Sequence, residues 1–66
     1  MTLREFRKSK GMTQFEFGKM IGASQQAVGA YEQAKRTVPP ERAKRIAKEF
    51  GLTLEQVWEL CYDRPA

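Results

Sequence analysis

Two adjacent glutamines, Gln25 and Gln26, open the stretch SQQAVGAYE, which runs from Ser24 to Glu32. A glutamine amide holds an acceptor and two donors in one plane, so it can bond adenine bidentately through N6 and N7. Two such amides at a helix start address adjacent base pairs. A helix that docks closely also needs slim residues, and Ala27, Gly29 and Ala30 follow at once, with the Ala27 methyl available to a thymine methyl. Gly29 costs that helix about 0.5–1 kcal/mol relative to alanine. The plainer reading is a solvated helix surface, and the rest of the chain has to choose between the two.

Other chemistries have little to work with. The chain has no histidine and a single cysteine, Cys61, so neither an internal disulfide nor a zinc ligand set can be assembled. There is no nucleophile–base constellation and no phosphate-cradling glycine loop, which argues against an enzyme. No cofactor is expected. No apolar run approaches the roughly 18 residues a membrane span needs, and the start MTLREFRKSKG lacks the apolar segment of a secretory signal. A cytoplasmic protein is the expectation.

The formal charge of +4 is unevenly spread. Residues 1–48 carry 11 basic and 4 acidic side chains, a net of +7, whereas residues 49–66 carry a net of −3. This suits a body with an anion-facing side and a tail that points elsewhere.

The elements that must position the glutamines are well punctuated. Thr2-Leu-Arg-Glu5, Thr13-Gln-Phe-Glu16 and Thr53-Leu-Glu-Gln56 read as capping boxes. Ser24 can cap a further helix, and Pro39-Pro40 fits a first turn whose amides need no partner. With Gly11, Gly22 and Gly51 as stops, the expected helices are 2–9, 13–21, 24–33, 40–50 and 54–62, with a frayed end at 63–66. Apolar residues recur at three and four, not at two, so the chain is expected to be all-α, a single domain over residues 1–66. The same spacing nominates a core of Leu3, Phe6, Phe17, Ile21, Val28, Tyr31, Ala43, Ile46, Ala47, Phe50, Val57, Trp58 and Cys61. Met12, Ala23, Val38, Leu52 and Leu54 are expected to seal the joints.

Only Gly22 and Ala23 join the second and third helices, which suits a steep crossing, with Gly18 as the small residue at the contact. The set MTQFEFGKMIGASQQAVGAYE, flanked by LREFRKSKG and KRTVPP…RIAKEFGLTLEQVW, resembles the Xre-type helix-turn-helix regulators typified by phage Cro proteins and lambdoid repressors. The resemblance covers nearly the whole chain, with the motif at about 14–33. It implies a compact five-helix DNA-binding domain of the lambda-repressor kind whose third helix enters the major groove, acting as a homodimer on a two-fold operator.

Residue by residue, the resemblance implies base readout by Gln25 and Gln26, with Ala27 and Ala30 beside them. It implies contacts to the DNA backbone from Thr13, Gln14, Ser24, Gln33, Lys35 and Arg36. It also implies a supporting salt bridge between Arg7 and Glu32. Arg42, Lys44, Arg45 and Lys48 fit either a phosphate-binding or a merely solvated face.

Three positions depart from the family. Gly29 stands where relatives usually carry another residue, and Ala30 where some carry a long base-reading side chain. Ala34 replaces a frequent helix-closing glycine, so the third helix is expected to run on or to end differently.

The expected function is a sequence-specific repressor of the small phage or prophage Cro kind, with double-stranded DNA and a second copy as partners. No small-molecule ligand is expected, and Leu60 and Tyr62 are exposed candidates for the dimer surface. The alternative is a protein-interaction or antitoxin-like module on the same fold, for which the apolar Phe15 and Met20 on the second helix speak.

Overall fold

Residues 1–62 are described by the structure, a computed structural model. Five helices follow one another: α1 (Leu3–Ser9), α2 (Gln14–Ile21), α3 (Gln25–Glu32), α4 (Pro40–Phe50) and α5 (Leu54–Tyr62). No strand occurs among the described residues. The expected frayed end at 63–66 lies outside them.

Each helix begins where side-chain chemistry can take up its first free amides. Thr2 and Thr13 close reciprocal capping boxes with Glu5 and Glu16. The hydrogen bond that each of these carboxylates accepts from its threonine's backbone N–H holds both acids below their usual pKa. At α5, the Thr53 hydroxyl accepts from the Gln56 amide at 3.1 Å, and the Gln56 side chain accepts from the Thr53 amide at 2.9 Å. Ser24 accepts from the Ala27 amide at 3.1 Å. α4 begins instead on proline, without a side-chain cap.

The core joins Leu3 and Phe6 of α1, Phe17 and Ile21 of α2, Val28 of α3, Ala43 and Ile46 of α4, and Val57 of α5, with Val38 entering from the loop before α4. Phe50 is half-buried and sits between two rings, edge-on to Phe6 at 5.1 Å and stacked on Phe17 at 5.5 Å. Tyr31, Ala47 and Cys61 pack around this cluster partly buried. Burial pushes the Cys61 thiol up to a pKa of about 11, so at neutral pH it is a packing group rather than a nucleophile.

Helix α5 sits in a different rotation from the one expected. Trp58 and Leu54, expected inside, are 63% and 64% exposed. Leu60 and Tyr62, expected outside, pack against the core, and the Tyr62 hydroxyl donates to the Val38 carbonyl. The sequence LEQVWELCY presents apolar residues on two neighbouring strips, and α4 and α1 take the strip centred on Val57. Met20 packs against the core as well, whereas Phe15 is 56% exposed beneath the Lys19 ammonium.

The end of α3 also differs from expectation. The helix neither runs on nor changes its closure: Ala34 itself takes the left-handed conformation at φ +60°. The Lys35 amide returns to the Ala30 carbonyl at 2.9 Å, and the Ala34 amide to Tyr31 at 3.2 Å. Alanine is strained there by its Cβ. Ala34→Gly should therefore stabilise the protein by roughly 0.5–1 kcal/mol, the left-handed penalty less glycine's larger unfolded-state entropy. A higher denaturant midpoint at unchanged slope is the expected readout.

Candidate nucleic-acid interface

The crossing of α2 and α3 is set by a missing side chain. A Cβ placed on Gly18 would lie 2.5 Å from the Ala23 carbonyl oxygen and 3.3 Å from a Val28 methyl. The first of these distances is impossible and involves backbone, so any larger residue forces the helices apart. Gly22 then closes α2 at φ +74°, and two residues later α3 begins. The Arg42 guanidinium donates to the Ile21 carbonyl at 3.4 Å, so this α4 cation covers the end of α2. Arg45 pairs with Glu49 at 3.2 Å on the surface. Lys44 and Lys48 remain exposed.

A single buried cation fixes where α3 stands. The Arg7 side chain is 10% exposed, and its Nε and Nη2 donate to the two oxygens of Glu32 at 2.6 and 3.3 Å. Its Nη1 donates to the Met12 carbonyl at 2.8 Å, which ties in the loop before α2. Glu32, only 4% exposed at its side chain, also accepts from Gln14 Nε2 at 3.1 Å. One carboxylate thus holds α1, α2 and α3 together.

Gln14 reaches Glu32 by lying across Gly29. A Cβ on Gly29 would meet the Gln14 amide at 3.5–4.0 Å, ordinary contact. The Gln14 side chain thus lies beside Gly29 but leaves room for a methyl group.

Around the ion pair opens a polar cleft of about 530 Å³. It brings Thr13, Gln14, Gln25 and Gln33 together with Arg4, which sequence reasoning missed. Its signal was an arginine one turn before Arg7, on the same side of α1. Gln25 and Gln26 are exposed at the first two positions of α3. Ser24 and Thr13 are exposed caps, each with its hydroxyl oxygen engaged by its own helix. Gln33 caps the end of α3, and Lys35 and Arg36 are exposed in the following loop, away from the cleft.

Two of the expected readers are less open. Ala27 is 8% exposed, its methyl turned into the body by the same rotation that buries Val28, so the expectation of a freely offered methyl is corrected. Ala30 is half-buried.

The arrangement is a rigid three-helix mount with two unencumbered amides at one helix start and cations on either flank. It suits recognition of a polyanion with a hydrogen-bonding edge. Among the described residues no cluster of acidic, histidine or cysteine side chains suits a metal, and no helix is long and apolar enough to cross a membrane.

A protein-family model described as helix-turn-helix matches residues 3–57. No curated protein and no solved structure matches the chain.

Removing one partner of a buried pair leaves the other charge uncompensated. Glu32→Leu should cost about 3–5 kcal/mol, while the double change Arg7→Met with Glu32→Leu should recover most of it, as read by a double-mutant cycle of unfolding free energies. Gly29→Ala should instead raise stability by roughly 0.5–1 kcal/mol, because helix propensity improves and Gln14 keeps ordinary contact. Chemical denaturation checks the gain, and a loss of stability would show that the Gln14 seat cannot admit a methyl.

Proposed function

The chain belongs to the helix-turn-helix family of DNA-binding regulatory domains, and on that premise we propose a sequence-specific transcriptional repressor of the small phage Cro type. It binds a two-fold operator as a homodimer, with α3 in the major groove. The observation that carries this reading is the pair Gln25 and Gln26, exposed side by side at the start of a helix whose position a buried ion pair fixes. Gln25 and Gln26 read base edges. Thr13, Gln14, Ser24 and Gln33 approach one stretch of backbone together with Arg4, and Lys35 and Arg36 approach another. Ala30 lines the groove-facing side without reading, and Ala27 supports the helix from within.

A second reading, a protein-interaction module, is favoured by Phe15, which is 56% exposed on α2. It predicts a stable protein partner and no sequence enrichment from a pool of random duplexes. The repressor reading predicts an enriched palindrome with half-sites about one helical turn apart.

On the enriched duplex, Gln25→Ala and Gln26→Ala should each lower discrimination at one base pair by about 1–3 kcal/mol. Arg4→Ala and Lys35→Ala should weaken all sequences nearly equally and reduce the salt slope by about one. Titrations at several salt concentrations separate the two patterns. Glutamine variants with unchanged sequence preference would remove Gln25 and Gln26 from the readers.

A further inference from the structure

A pocket of about 350 Å³ lies between α1 and α5 and shares no lining residue with the cleft around Arg7 and Glu32. Its size is at the lower end of ligand sites, room for one small molecule. Phe6, Leu52 and Leu60, all packed into or against the core, give it an apolar lining. No local sequence pattern announces it, because its two walls come from opposite ends of the chain.

The polar groups around this lining have a fixed sense. The Ser9 hydroxyl donates to the Phe6 carbonyl at 2.6 Å, so toward a ligand its oxygen can only accept. Gln56 is oriented by the capping box of α5: its Oε1 accepts from the Thr53 amide at 2.9 Å, which leaves Nε2 to donate. Lys10 holds its ammonium 5.4 Å from the centre of the Phe6 ring, and Glu59 brings a carboxylate. Lys10 and Glu59 are both exposed and line the same pocket, yet among the described residues neither is in an ion pair.

These charges decide what the pocket suits. A purely anionic molecule would face Glu59, and a purely cationic one would face Lys10. An uncharged molecule would strip water from both charges and return nothing to them. Opposite charges that share a pocket without meeting are satisfied together by a molecule that carries both.

We propose that this pocket binds a small zwitterion with an apolar body, a free α-amino acid with a large apolar side chain. Its carboxylate accepts from Lys10 and from Gln56 Nε2. Its ammonium donates to Glu59 and to the Ser9 oxygen, and its side chain lies on Phe6, Leu52 and Leu60. The site uses neither Gln25 nor Gln26, so it stands independently of the repressor reading. Phe6 directly precedes Arg7, and a molecule seated there rests on the helix that holds Glu32.

The probes are L-phenylalanine and L-leucine, with phenethylamine and phenylpropionate as relatives that keep one charge each. Each is titrated into the full chain and followed by amide chemical shifts. The amino acids should bind saturably and shift the amides of Lys10, Gln56 and Glu59. L-phenylalanine should exceed either relative by about tenfold or more, the worth of one lost charged hydrogen bond. Lys10→Ala should abolish its advantage over phenethylamine, and Glu59→Gln its advantage over phenylpropionate, with helicity by circular dichroism unchanged. A merely apolar crevice would show neither change.

No saturable binding by either amino acid up to its solubility limit would overturn the proposal. So would equal binding of L-phenylalanine and its two relatives, or an advantage that survives both substitutions. Gln25→Ala should leave amino-acid binding unchanged. Binding that follows the two charges in a chain that enriches no DNA sequence would uphold the pocket and overturn the repressor reading.

Discussion

The placement of α3 against α1 and α2 hangs from one carboxylate. Glu32 is taken out of water at the last turn of α3 and meets three donors there: two from Arg7 and one from Gln14. Desolvating such a pair costs nearly as much as its attraction returns, so its net contribution to stability is small. Its contribution to geometry is large. A planar guanidinium that also serves the Met12 carbonyl accepts only one placement of its partner, and α3 is locked in rotation as well as in distance. In a 66-residue chain, whose apolar core is small, such a directional constraint decides which of several similar packings is occupied.

Gly18 supplies the complementary constraint. The ion pair holds α3 from its last turn, and the absent Cβ lets α2 close on the Ala23 carbonyl near its first. Held at both ends, a helix of eight residues needs little propensity of its own, which is how Gly29 is tolerated in its middle.

The helices and their starts were legible in the sequence because capping is local: Thr2 with Glu5, Thr13 with Glu16 and Thr53 with Gln56 each lie within one turn. The Gly18 contact was legible too, since a two-residue joint leaves few crossings. The rotation of α5 was not. Six of its nine residues are apolar, and periodicity cannot say which strip a neighbouring helix covers, so Trp58 and Leu60 exchanged places. The Arg7–Glu32 pairing followed from family resemblance rather than from spacing, being 25 residues apart. The Gln14 bond to Glu32 and the gathering of Arg4 into the cleft depend on distances between helices, which no local pattern carries. Ala34 shows the opposite limit: a local preference read correctly as unfavourable, yet overridden by the loop that follows.

The three glutamines near the cleft differ in one respect that bears on how strictly a sequence is read. A carboxylate can accept only from the NH2 end of an amide, so Glu32 fixes which way round Gln14 sits. Among the described residues no hydrogen bond orients Gln25 or Gln26. Each can rotate by half a turn about its last bond and exchange donor for acceptor, presenting either polarity to a base edge. Were these amides the base readers proposed above, more than one base pair would satisfy each position, at an entropic cost settled only on contact. On the function proposed above, the operator would be a family of related sites graded in strength rather than one word.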